Sequence, residues 1–106
     1  MHMALDYGWE KLHEAVISLS GSSDIKTRLY SAISKLTRLE AQRDLPKEIR
    51  KEFTEFMTKV TIVEATGEEG KIMATLNTLD EIELVELAHK IVSFYDTSCR
   101  HEQPFS

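Results

Sequence analysis

Apolar residues return every three or four positions along most of this chain, the spacing that collects them on one face of an α-helix. Leu5, Trp9, Leu12, Val16 and Leu19 make the first stripe and predict a helix capped by Asp6 and ending near Ser20. Gly21 reads as a left-handed stop, and Ser22, Ser23 and Asp24 as the next start. Ile25, Leu29, Ala32, Ile33, Leu36 and Leu39 then form the second stripe.

The stretch from Glu40 to Leu45 is polar and leads to Pro46, a residue tolerated in a first helical turn because its missing N–H has no partner there. A third helix is therefore expected from Pro46, with Ile49, Phe53, Phe56, Met57, Val60 and Val63 on its apolar face. Thr66-Gly67-Glu68-Glu69-Gly70 breaks the pattern and reads as an exposed acidic loop. Residues 71–77 are too short for periodicity to decide, and a short helix is the preferred reading. Thr78 with Glu81 matches a capping box at the start of a last helix that runs to about Ser98.

That last helix differs from the others. Leu84, Val85, Leu87, Ala88, Ile91, Val92, Phe94 and Tyr95 cover about half of its circumference. An arc so wide needs two sets of neighbours: either the helix is central to the core, or part of its face is a homodimer seam. The fold expected is all-α, a compact antiparallel bundle of four main helices with a short extra helix near residues 70–77. At 106 residues a single domain is expected over the whole chain, with 1–3 as an expression leftover ahead of a native start at Met3 and 99–106 as a flexible tail.

Composition narrows the function classes. The one cysteine, Cys99, excludes an intramolecular disulfide and a Cys-rich zinc site, and fits the reducing cytoplasm. No run of 18 apolar residues is present, so no membrane span is expected. A net charge of -5 disfavours loose binding to nucleic acid. The charge is unevenly placed, however. Residues 26–51 carry Lys26, Arg28, Lys35, Arg38, Arg43, Lys47, Arg50 and Lys51 against three acids, whereas residues 64–86 carry seven acids against Lys71. The basic half is the place for nucleic-acid binding if there is any, although only Tyr30 could stack on a base there.

Catalytic motifs are missing. There is no glycine-rich phosphate loop, no His-Glu-x-x-His and no Gly-x-Ser-x-Gly, and no arginine precedes a histidine at the four-to-six-residue separation some helical nucleases use. Cys99-Arg100-His101 juxtaposes a thiol, a cation and a base, but adjacency in sequence is not geometry. Glu10-x-x-His13 and Glu86-x-x-His89 repeat the Glu-x-x-His pattern of di-metal bundles, so a metal protein or bundle enzyme using His13, His89 and nearby glutamates is the alternative reading. Both motifs fall off the apolar stripes, which weighs against inward-pointing ligands.

The preferred expectation is a small non-enzymatic regulatory or protein-interaction domain without a cofactor. Its partner, or a second copy, is expected on the last helix through Leu84, Leu87, Ile91, Phe94 and Tyr95, with Tyr30 as a further anchor. Ile17 and Ile62 also depart from the stripes of their helices.

Overall fold

A computed structural model describes residues 3–67 and 70–101, with side chains described from Asp6 onward. It is all-α, with six α-helices among the described residues: α1 (Met3–Leu19), α2 (Ile25–Leu36), α3 (Ala41–Asp44), α4 (Arg50–Val60), α5 (Gly70–Leu76) and α6 (Glu81–His101). A 3₁₀ turn, Lys47–Ile49, leads into α4. Of the expected terminal segments, residues 1, 2 and 102–106 lie outside the described residues, as do Glu68 and Glu69 of the acidic loop.

The four stripes meet in one hydrophobic cluster. Leu12 and Ala15 of α1, Leu29, Ala32, Ile33 and Leu36 of α2, Phe53, Phe56 and Val60 of α4, and Leu84, Leu87, Ile91 and Phe94 of α6 are all buried in it. Phe94 is the hinge of this packing, since its ring meets Phe53 at 5.7 Å and Phe56 at 5.6 Å, both edge to face. α6 thereby packs on α4 through Phe94 and on α1 and α2 through its other flank. Packing on these helices accounts for the buried side of the wide arc, Leu84, Leu87, Ile91 and Phe94, while Val92 stays exposed.

Helix ends show where local chemistry departs from the sequence expectation. Asp6 lies inside α1 rather than capping it. Gly21 is not left-handed. Instead the Arg28 side chain reaches back from α2, donating from Nη1 to the Leu19 carbonyl at 2.7 Å and from Nε to the Ser23 carbonyl at 2.7 Å. The Leu19 carbonyl at the end of α1 thus accepts from a cation, which also suits the negative end of a helix, while the Ile17 and Ser18 carbonyls accept from the Ser20 and Gly21 N–H groups. Asp24 caps α2 as expected, accepting from the Thr27 N–H at 2.8 Å. This bond holds its carboxyl below the ordinary aspartate value.

The polar stretch after α2 is ordered as α3, and Pro46 precedes the 3₁₀ turn rather than sitting in the α-helix itself. α4 stops at Val60, three residues short of the expected Val63. The reason is a competing hydrogen bond: the Val63 N–H donates to the buried Thr75 hydroxyl at 3.1 Å, which ties the loop to α5. Residues 71–77 are helical through Leu76, and Gly70 opens α5 at φ +79°, a left-handed value glycine adopts without strain. The capping box of α6 is displaced by two residues. Asp80 and Glu83 exchange reciprocal side-chain bonds with each other's N–H, at 2.8 and 3.0 Å, while the Thr78 hydroxyl donates to Thr75 at the end of α5. α6 also continues to His101, so residues 99–101 are helix and not tail.

Candidate interaction surface

The residues expected to meet a partner on α6 separate into two groups. Leu84, Leu87, Ile91 and Phe94 are buried in the core, and a side chain already packed there cannot also form a docking surface. Tyr95 is half-buried between α6 and α1, while Tyr30 is exposed on α2. Tyr30 stands apart from Tyr95, on a different flank of α2 from Ser31 and Lys35, which meet Ser18 of α1.

What surrounds Tyr95 is more informative. α1 and α6 run antiparallel, and two cross-helix pairs fix their register. The Trp9 indole N–H donates to Cys99 Sγ at 3.3 Å, and His13 Nδ1 and the Tyr95 hydroxyl share a hydrogen bond of 2.9 Å. The His13 ring stacks on Trp9 at 5.0 Å between centroids, with Tyr95 tilted against both. Burial, and then the neighbouring Cys99 thiol, raise the Tyr95 phenol above its ordinary pKa. The cluster is a polar-tipped aromatic seam: each ring covers apolar surface while its heteroatom finds a partner.

The same register carries the seam further. Each step of four residues along α1 is matched by four in the opposite direction along α6, which brings Ile17 level with Ile91 and Val92. Ile91 turns into the core, whereas Ile17 is 58% exposed and Val92 45% exposed. Half-buried Val85 and Ala88 extend the strip on α6. By this register an aromatic end and an aliphatic end follow one another as a ribbon along the two helices. Asp6 and Glu10 border it on α1, and Asp96, paired with Arg100, borders it on α6.

The chemistry weighed in the sequence is distributed differently in space. Cys99 and His101 part company: the thiol turns to Trp9, while His101 Nε2 bonds Glu48 at 2.8 Å. That bond, with the Glu48 backbone N–H as the larger cause, lowers the Glu48 carboxyl pKa. His13 is engaged in the seam and His89 is exposed. Among the described residues no three His, Cys, Asp or Glu side chains are gathered to hold a metal ion. In the basic segment, three of four arginines serve the fold. Arg28 closes α1, Arg43 grips Asp44, and Arg50 donates to the Leu45 carbonyl at 2.9 Å. Phosphate contacts would have to come from Arg38 and the lysines.

The sequence pattern alone does not reveal the seam, because Trp9 sits on a core stripe and Cys99 in the expected tail. Its legible signals were Tyr95, expected on the partner face of the last helix, and Ile17, an aliphatic residue off its helix's stripe beside His13. No described helix is long and apolar enough to cross a membrane. Fold and surface together define an all-α bundle with an aromatic and aliphatic ribbon on its outer face. Comparison with models of known families, with curated proteins and with solved structures gives no match, so the function is read from this chain's own chemistry.

Proposed function

We propose that the chain works by binding another protein across the α1/α6 seam rather than by catalysing a reaction. The observation that supports this reading is the exposure of Ile17 and Val92, two aliphatic side chains on the pair of helices whose register the Trp9–Cys99 and His13–Tyr95 bonds fix. A two-helix ribbon of this shape suits an amphipathic partner helix laid along α1 and α6. Trp and Tyr supply the large contact area and low ordering cost typical of interface anchors. Asp6 and Glu10 at the margin favour a partner whose apolar stripe is flanked by basic residues. The cytoplasm is the natural setting, where Cys99 stays a thiol able to accept the Trp9 N–H.

The test is affinity capture with matched variants. Ile17→Glu and Val92→Glu are expected to lose a protein that both the wild type and an Ile62→Glu control retain, Ile62 being exposed in the loop after α4. An unchanged set of captured proteins across all four would remove the basis of the proposal. Light scattering decides the special case of a second copy as partner: a dimer abolished by Val92→Glu would identify the seam as a self-association surface.

A further inference from the structure

The opposite flank of α1, facing α2, carries a second and chemically different feature. Lys11, Glu14, Ser34, Lys35 and Arg38 line a cleft of about 420 Å³ between the two helices. Lys35 is half-buried there, and its ammonium donates to Ser18 Oγ at 3.1 Å and Ser31 Oγ at 3.2 Å. Both hydroxyl protons are already committed, Ser31 to Ser18 Oγ and Ser18 to the Glu14 carbonyl. The serines therefore act toward Lys35 as acceptors, holding the ammonium in place with two of its three N–H groups and leaving the third free.

No carboxylate among the described residues pairs with Lys35 or with Arg38. Lys11 is bound to Glu14 at 3.3 Å and rests over the Tyr7 ring. Three cations against one carboxylate leave two positive charges uncompensated in a chain that is acidic as a whole. A positioned ammonium one turn from a free guanidinium, with a surplus of two charges, complements a compact dianionic oxyanion.

We propose that this cleft binds a phosphate group, either as inorganic phosphate or on a small phosphate monoester. Lys35 gives a fixed point charge and Arg38 a two-pronged donor on the open side, while Lys11 adds to the field. The site is separate from the α1/α6 seam and independent of what binds there.

The experiment is a titration of the ¹⁵N-labelled full chain followed by its amide spectrum, with inorganic phosphate and with free phosphoserine, each against chloride at matched ionic strength. The expected result is a saturable shift confined to the neighbourhood of Ser18, Ser31, Ser34, Lys35 and Arg38. Lys35→Met and Arg38→Gln each weaken it by about tenfold or more, the effect of losing one charge-assisted bond. Whichever anion binds more tightly identifies the source of the phosphate. Arg38→Gln keeps the test valid if Lys35→Met disturbs the helix pair, because Arg38 is exposed. Shifts that follow ionic strength without saturating, or that persist unchanged in Arg38→Gln, overturn the proposal.

Discussion

Gly8 of α1 lies directly against the backbone of Asp44, so that a Cβ at position 8 would stand 2.0 Å from the Asp44 carbonyl oxygen and 3.0 Å from its carbon. In the middle of a helix, replacing Gly by Ala ordinarily stabilises by about 1 kcal/mol. Here the added methyl meets backbone, which cannot swing aside as a long side chain does. α3 must move away from α1, and overpacking of this kind costs about 1–3 kcal/mol. Gly8→Ala is therefore expected to lower the midpoint of urea unfolding, and a midpoint at or above that of the wild type would contradict the close approach.

Asp44 is itself held from three sides. Only 1% exposed, it accepts from Arg43 Nε at 2.8 Å, from Arg43 Nη2 at 2.9 Å and from the Glu40 N–H at 2.8 Å. Burial works against the charged form, but the guanidinium and the backbone N–H outweigh it and keep the carboxyl below its ordinary value. The ionised form is thus favoured by folding. Its stabilising effect is complete above the unfolded carboxyl value, about 3.9, and is lost as pH falls through the lower folded value. Asp44→Asn is expected to cost about 1–3 kcal/mol at neutral pH through the buried bonds it weakens. Arg43 is largely exposed, so the ion pair alone contributes little of this. Unfolding measured from pH 7 down to pH 3 should show the two proteins converging at the acid end, and a constant gap would argue against the ionised carboxylate as the cause.

The bundle was legible because each main helix carries its own stripe, and the buried set of α2, Leu29 to Leu36, is the one its spacing selects. Helix ends were less legible, since a side chain distant in sequence can take over a terminal group. Arg28 replaces the expected role of Gly21, and Thr75 draws the Val63 N–H away from α4. On α6 the pattern showed an apolar arc too wide for one neighbour, but could not divide it. Only the packing of Phe94 against Phe53 and Phe56 assigns one side of the arc to the core. The phosphate cleft left no sequence signature, because Lys35 and Arg38 read as two of many basic residues until Ser18 and Ser31 were seen to fix one of them.

The two-residue displacement of the α6 cap gives a direct comparison. Asp80 and Glu83 satisfy each other's N–H, whereas the Thr78 hydroxyl serves the end of α5. Asp80→Ala removes an N-cap acceptor and is expected to destabilise by about 1 kcal/mol. Glu83→Ala should cost less, and the double variant less than the sum, because the two bonds form one reciprocal unit. Thermal unfolding of the three variants measures the coupling, and strict additivity would mean the two side chains act separately.

Ile91 and Val92 are neighbours in the chain with opposite fates, and they separate core from surface on α6. Ile91 is fully buried, level with exposed Ile17 but turned inward, so Ile91→Glu places an unpaired carboxylate in the core and should prevent stable folding or leave the group protonated. Such a variant says nothing about a partner. Val92, nearly half exposed, tolerates Val92→Glu within about 0.5 kcal/mol, the usual range for a surface change. Its expected effect is on binding instead, where a charge set into an apolar contact should weaken partner retention by about tenfold or more. Circular dichroism at 222 nm, together with a retention assay on the same samples, distinguishes the two residues. If Val92→Glu unfolded the protein as Ile91→Glu does, the α1/α6 ribbon would be part of the core, and the proposed docking surface would have to be abandoned.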